Sequence, residues 1–102
     1  MIDNQRELTI YAVRGAVQLE EDSTVEMERR VQEMVLGLLE VNSIPVDQIV
    51  SLQFTQSQDL TAENPARALR KVGFAEVPLF CGLEPQYPNQ LPRTVRVLIT
   101  FR

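Results

Sequence analysis

The fold prediction starts from VPLFCGLEPQYPNQLPRTVRVLITFR, residues 77–102. This stretch predicts a short apolar strand that ends at the sole cysteine, Cys81, followed by a proline-rich loop that begins at Glu84. A longer strand comes next and carries Arg96 at its middle. Apolar residues flank Arg96 in the sequence, where a charge is costly unless an anion meets it. Arg96 is therefore the leading candidate for an anion-binding residue.

Length and composition bound the class of protein. A chain of 102 residues with 44% apolar and 24% charged residues is typical of one globular domain with a modest core. No apolar run approaches the roughly 20 residues that span a bilayer, and the N-terminus does not look like a secretory signal. One cysteine excludes an internal disulfide and fits the reducing cytoplasm. We expect a single domain over residues 1–102, cytoplasmic and not associated with membranes.

The residue types exclude several kinds of chemistry. The chain has no histidine, which rules out a Ser-His or Cys-His nucleophile and a histidine-based metal site. One cysteine cannot build a zinc site, and we predict neither a metal nor a cofactor. The net charge is −4 without a long basic run, and nine of the ten basic residues are arginine. This balance argues against nucleic-acid binding and favours a small anionic ligand held by a few arginines.

Hydrophobic periodicity predicts four strands and two helices in the order β-α-β-α-β-β. The predicted strands cover residues 8–17, 48–56, 74–81 and 93–101. The first helix runs from a capping-box pattern at Ser23 to about residue 41, and the second from Pro65 to about Gly73. Together they indicate a mixed α+β single domain with a split β-α-β character.

Alternation along the strands predicts which side chains face the core. On the last strand, Val95, Val97, Ile99 and Phe101 share one face, and Arg96 and Leu98 lie on the other. On the second strand, Val50, Leu52 and Phe54 are opposed to Ser51, Gln53 and Thr55. On the first strand, Arg14 ends an otherwise apolar face.

Several arginines and one carboxylate are candidates for a site. Arg14 either extends into solvent from a strand end or clamps an anion, helped by the close backbone approach that Gly15 permits. Arg67 and Arg70 share a helix face, which is either a solvated basic surface or part of the site. Without a nucleophile–base pair, chemistry there would depend on positioning and electrostatic stabilisation. The full candidate set is Arg14, Arg67, Arg70, Cys81, Glu84 and Arg96.

Four short motifs, in order, carry a family resemblance: VRGA at residues 13–16, PARALR at 65–70, VPLFCGLE at 77–84 and VRV at 95–97. This ordered set resembles the AroH-type, monofunctional chorismate mutases from about residue 10 to the end. The resemblance implies a homotrimer shaped like a pseudo-α/β-barrel, with active sites in clefts between subunits. It also implies the rearrangement of chorismate to prephenate, on the shikimate pathway to phenylalanine and tyrosine, without metal or cofactor.

The resemblance also implies residue roles. Arg96 would donate to the ether oxygen of chorismate, which gains negative charge as the C–O bond stretches. Glu84 would accept a hydrogen bond from the ring hydroxyl, and Arg14 would bind a substrate carboxylate. The remaining contacts would come from Phe80 and Cys81, which line the pocket, and from Arg67 and Arg70, which meet the second carboxylate near the cleft mouth.

The sequence departs from the family pattern in two places. Asn64 stands where relatives carry an aromatic residue, which removes apolar cover from the pocket. Family members also continue past the last strand with a tail that bears a carboxylate-binding tyrosine. This sequence ends at Arg102, so we expect weaker substrate binding if the native chain lacks that tail. Three alternatives stay open: a catalytically impaired trimeric binding module of the same family, an enamine/imine deaminase-like trimer, and an α/β domain with scattered surface arginines.

Overall fold

The computed structural model describes residues 9–102. The elements occur in the order β1 (Tyr11–Gln18), α1 (Thr24–Val41), β2 (Ile49–Gln56), α2 (Pro65–Arg70), β3 (Leu79–Leu83) and β4 (Thr94–Phe101), with a short 3-10 helix at Val46–Gln48. The predicted mixed α+β fold with four strands and two helices is confirmed. No helix in this part of the chain is long and apolar enough to cross a membrane.

The four strands form one sheet in the order β1-β4-β2-β3. β4 lies between β1 and β2 and runs antiparallel to both, so β1 and β2 point the same way. This insertion of β4 between two parallel strands is the split β-α-β arrangement that the element order indicated. β3 pairs parallel to β2 through the α2 crossover, which leaves β1 and β3 as the two edges.

Both helices cover the same face of the sheet, and the core lies between the two layers. On β4, Val95, Val97 and Ile99 are at most 3% exposed, and on β2, Leu52 and Phe54 are at most 1% exposed. The core faces predicted for these five residues are confirmed. They pack in one cluster with α1 residues Met27, Val31, Val35 and Leu39.

Gly15 lets α1 approach β1 closely. A Cβ atom at Gly15 would lie 2.8 Å from Leu38 Cδ1 and 3.6 Å from Met34 Sδ. The space that this glycine leaves is therefore filled by helix side chains. Gly15 also lines a cavity beside Arg14, so the predicted close approach of its backbone to an anion stays a prediction.

The N-terminus of α1 departs from the predicted capping box. Ser23 is the N-cap, and its Oγ accepts from the Glu26 N–H at 3.1 Å, as predicted. The Glu26 carboxylate, however, reaches past the cap to the backbone N–H of Glu20 at 3.0 Å and also accepts from Arg29 and Arg30. The Glu20 N–H, helped by the two arginines, lowers the pKa of Glu26 from 4.5 to about 2.

The strand predicted over residues 74–81 is displaced toward the C-terminus. β3 begins at Leu79, and the residues before it form turns. Phe74 and Val77 are still only 2% and 9% exposed, so they fill the core from a turn. Their apolar character reflects burial and not strand structure.

A bulge in β2 changes one predicted core position. The pairing with β4 shifts between Ile49 and Ser51, which leaves Val50 as the extra residue. Ile49 packs against the core, the place that alternation had given to Val50.

Two other predicted boundaries are too generous. The strand predicted over residues 8–17 begins at Tyr11, and its first residue, Leu8, lies outside the described residues. The second helix ends at Arg70, before Gly73, whose φ of 105° lies in the left-handed region.

Candidate active site

The sheet face opposite the helices is open, and it carries two of the predicted anion-binding residues, Arg14 and Arg96. Cross-strand pairing aligns its side chains in two rows that run across all four strands. The first row contains Arg14, Leu98, Gln53 and Phe80, and the second contains Ala16, Arg96, Thr55 and Gly82.

A cavity of about 550 Å³ lies over these two rows, and every residue of both rows lines it. Ala16 beside Arg96 and Gly82 beside Thr55 have small side chains or none, which leaves room at both ends of the second row. Leu98 and Phe80 are 39% and 68% exposed and supply apolar surface. The recess therefore combines apolar walls with charged groups, as ligand sites commonly do.

Arg14 and Arg96 are diagonal neighbours at this cavity. Arg14 pairs with Leu98 and Arg96 pairs with Ala16 on adjacent antiparallel strands, a relation that places Cα atoms about 7–8 Å apart. Among residues 9–102 the Arg14 side chain has no hydrogen bond or ion pair. Two guanidinium groups directed at one recess suit a ligand with more than one anionic group.

Glu84 is the carboxylate partner of Arg96. It lies two residues beyond Gly82 and so continues the open face, and its N–H donates to the Gln56 carbonyl at 2.8 Å. Glu84 Oε1 lies 3.3 Å from Arg96 Nε, and the Thr55 hydroxyl donates to Glu84 Oε2. Each carboxylate oxygen therefore has a partner. The pair leaves the terminal N–H groups of Arg96 available to a ligand.

The apolar sequence neighbours of Arg96 do not bury its charge. Val95 and Val97 point to the helix-covered face, whereas the Arg96 side chain faces the cavity and is 47% exposed. The expectation that Arg96 sits in an apolar setting is therefore wrong for a single chain. Its pairing with Glu84, which is 14% exposed, is what marks it as a site residue.

Cys81 does not line the cavity. Alternation directs Phe80 and Gly82 into the recess and turns Cys81 toward the core. The thiol donates to Gln56 Oε1 at 3.3 Å, and burial raises the pKa of Cys81. A protonated thiol held in this way is not a nucleophile. Contact between Cys81 and a substrate stays a prediction.

Arg67 and Arg70 lie away from the cavity of their own chain. Both are on α2, on the helix-covered side, and neither lines the recess. Arg67 Nε lies 3.3 Å from Glu63 Oε1, although the Arg67 side chain is 66% exposed. Arg70 has no ion pair within residues 9–102. A site that uses these two arginines requires a second chain, and their roles stay predictions.

Three polar residues of β2 belong to the site or its support and gave no motif in the sequence. Gln53 and Thr55 line the cavity. Gln56 is 7% exposed; besides holding the Cys81 thiol, it donates to the Leu60 carbonyl at 2.9 Å. The alternation of β2 placed Gln53 and Thr55 on the face away from the core, and that was the available signal.

Asn64 has a structural role that the resemblance did not suggest. It is the N-cap of α2, and its Oδ1 accepts from the Arg67 N–H at 2.9 Å. An aromatic residue at this position cannot make that bond. The departure from the family pattern therefore stabilises the start of the helix that carries Arg67 and Arg70.

The donor set defines what this site can do. Within residues 9–102, no group of three or more histidine, cysteine, aspartate or glutamate side chains could hold a metal ion. The recess offers guanidinium donors, and the Glu84 carboxylate, which is outside the cavity lining, adjoins the recess through Arg96. Such a set binds anionic groups and stabilises negative charge that develops on a bound ligand.

Comparisons with known proteins identify the family of the chain. The family model for chorismate mutase type I matches residues 10–102. A protein named chorismate mutase AroH from Thermus thermophilus is 37% identical over 90 residues, which cover 87% of this chain and 74% of the relative. A Bacillus subtilis (strain 168) protein of the same name is 28% identical over 96 residues, which cover 93% and 76%.

A solved structure extends the agreement to the fold. The chorismate mutase from Clostridium thermocellum matches with a TM-score of 0.84 at 31% identity, covering 87% of this chain and 80% of that chain. The chain spans about three quarters of the length of the two curated relatives. These matches favour the mutase resemblance over the enamine/imine deaminase alternative. The chain belongs to the type I chorismate mutase family.

Proposed function

We propose that this protein rearranges chorismate to prephenate at the open-face cavity. The observation that carries the proposal is the Arg96–Glu84 pair beside Arg14, since both arginines line one recess and Glu84 adjoins it through Arg96. Membership of the family supplies the substrate and the reaction class, an isomerisation. Prephenate leads to phenylalanine and tyrosine, so the protein acts in aromatic amino acid biosynthesis.

The reaction needs no acid, base or nucleophile. In this Claisen rearrangement the ether C–O bond breaks while a C–C bond forms within one molecule, and negative charge gathers on the ether oxygen. Only interactions that strengthen between the ground state and the transition state accelerate the step. A fixed cationic donor beside that oxygen meets this requirement.

Arg96 is the proposed donor. Glu84 engages its Nε, so the terminal N–H groups point to the ether oxygen. Glu84 also accepts from the ring hydroxyl of the substrate, because each carboxylate oxygen has a second lone pair. A second chain over the recess would exclude water and lower the local dielectric, which strengthens both interactions.

The remaining residues bind and orient the substrate. Arg14 binds one carboxylate and selects the compact, reactive conformer. Phe80 covers the ring, and Cys81, whose thiol is bonded to Gln56, contributes a polar contact through its backbone. Arg67 and Arg70 of a neighbouring subunit attract the dianion and meet its second carboxylate.

The protein acts as a homotrimer with its sites in the clefts between subunits. The open sheet face supports this assembly, because it exposes apolar side chains such as Phe80 and Leu98 next to the Arg14 guanidinium, which has no partner among residues 9–102. The single free cysteine fits a cytoplasmic location.

A turnover assay tests the proposal. Purified protein is incubated with chorismate, the loss of chorismate absorbance is followed against the uncatalysed background, and prephenate is identified as the product. Thermally unfolded protein serves as the control. We expect acceleration by the folded protein alone; none at high enzyme and substrate concentration contradicts the proposed activity. Native mass spectrometry tests the assembly, and turnover by a species that contains a single chain contradicts the shared cleft.

A further inference from the structure

We infer that Thr55 is a positioning residue for this reaction: its hydroxyl holds the Glu84 carboxylate, which in turn orients Arg96. The inference rests on the proposed function and adds a residue that neither the motifs nor the family match assigns. Thr55 acts through Glu84 and not by contact with the reacting atoms.

The sheet register places Thr55 between the two charged residues. Thr55 is directly opposite Arg96 on the neighbouring strand and is paired with Gly82 on its other side. Because Gly82 has no side chain, nothing on that row separates Thr55 from Glu84, two residues further along. The Thr55 hydroxyl therefore reaches the carboxylate across the gap that the glycine leaves.

The contacts around Glu84 indicate that Glu84 orients Arg96, and not the reverse. The Glu84 N–H is tied to the Gln56 carbonyl at 2.8 Å, and the side chain is 14% exposed, whereas that of Arg96 is 47% exposed. A β-branched residue on a strand is restricted at χ1, so the Thr55 hydroxyl has a fixed direction. The anchored carboxylate thus determines where the more exposed guanidinium lies.

Removal of the hydroxyl has a specific chemical consequence. Glu84 Oε2 then lacks its donor, and a carboxylate in that state turns to the strongest donor within reach, the terminal N–H groups of Arg96. A two-point pair of this kind occupies the groups that would otherwise stabilise the ether oxygen. The effect belongs to the transition state, so kcat falls more than KM rises.

The test compares Thr55→Val, which keeps the shape and loses the hydroxyl, with Thr55→Ser, which keeps the hydroxyl. We expect Thr55→Val to lower kcat by about 10- to 100-fold, the range for a lost hydrogen bond to a charged group, with KM changed by less than about threefold. Thr55→Ser should restore most of the rate. Thr100→Val, on the same face of β4 but outside the cavity lining, is the matched control. Thr55→Ala is the second variant if Thr55→Val does not fold.

A double-mutant cycle with Glu84→Ala separates positioning from direct contact. If Thr55 acts through Glu84, Thr55→Val has no further effect in the Glu84→Ala background. An equal loss in both backgrounds overturns the inference, and so does wild-type kcat in Thr55→Val or failure of Thr55→Ser to restore the rate. These results are distinct from the absence of turnover in the wild-type protein, which overturns the proposed function and this inference with it.

Discussion

The two faces of the sheet differ in how completely one chain satisfies their groups. On the helix-covered face, Leu52, Val95 and Ile99 are fully buried. On the open face, Phe80 is 68% exposed, and the Arg14 side chain has no partner among residues 9–102. The first face specifies the fold by itself. We propose that a ligand or another copy of the chain completes the second, and that the chemistry lies there.

Two charged groups show the same difference. Glu26, at the start of α1, is 7% exposed and accepts from one backbone N–H and two arginines. Arg96 has the single carboxylate of Glu84 and keeps its terminal N–H groups unpaired within residues 9–102. A satisfied charge stabilises structure, whereas an incompletely satisfied one is available for binding.

The largest expected difference in stability is between two phenylalanine variants, one on each face of the sheet. Phe54→Ala should lower the free energy of unfolding by about 3–5 kcal/mol, because it opens a cavity in the core. Phe80→Ala should cost markedly less, because Phe80 is exposed in the single chain, but it should raise the KM for chorismate. Urea denaturation of both variants measures the difference. Equal losses of stability contradict the division between the faces.

A smaller difference in stability is expected between two glycine variants. Gly15→Ala should destabilise the protein by about 1–3 kcal/mol, because the new Cβ meets Leu38 where α1 packs on β1. Gly37→Ala is the matched control: nothing lies within 4 Å of its Cβ position, and alanine favours a helix by up to about 1 kcal/mol over glycine. Thermal unfolding should therefore shift in opposite directions. A shift of the same sign in both variants refutes the close packing of α1 on β1.

Sequence periodicity predicted which residues face the core better than it predicted where the strands begin and end. Val95, Val97 and Ile99 alternate in a pattern that only a half-buried strand explains, and burial confirms it. Phe74 and Val77 were assigned to a strand because they are apolar, although a turn buries them equally well. Apolar residues in a sequence predict burial. They predict the backbone conformation only where their periodic pattern extends over enough residues.

The sequence predicted only some of the candidate site residues on the open face. Arg14 and Arg96 stood out because charges are rare on such strands, and the structure brings both to one cavity. Thr55 did not stand out, since its importance comes from a register with Arg96 that depends on strand order. The proposed roles of Arg67 and Arg70 require another chain, so no pattern within one chain locates them at the site.

The smallest expected effect is the contribution of the Glu26 charge to the pH dependence of stability. The pKa of Glu26 is lowered from 4.5 to about 2 by the Glu20 N–H and the two arginines. Its contribution to stability is therefore fully present above about pH 4.5 and is lost as the pH falls toward 2. Glu26→Gln should lower stability at neutral pH and flatten the acid dependence in this window.

Urea midpoints measured from pH 7 down to about pH 2 check this expectation. Glu40→Gln, at an exposed position near the other end of α1, is the control and should keep the acid dependence of the wild type. If the stability of Glu26→Gln depends on pH in the acid range as that of the wild type does, the claim that the Glu26 charge stabilises the fold is contradicted.

The most direct test of the account is the turnover of Arg96→Ala, measured together with its thermal unfolding. Arg102→Ala, which removes an exposed arginine just after the same strand, is the control. The account predicts that kcat/KM for chorismate falls by about 10²–10³ or more in Arg96→Ala, while the unfolding midpoint and the wild-type rate of Arg102→Ala are preserved. Undiminished turnover in Arg96→Ala, or an equal loss in Arg102→Ala, contradicts it.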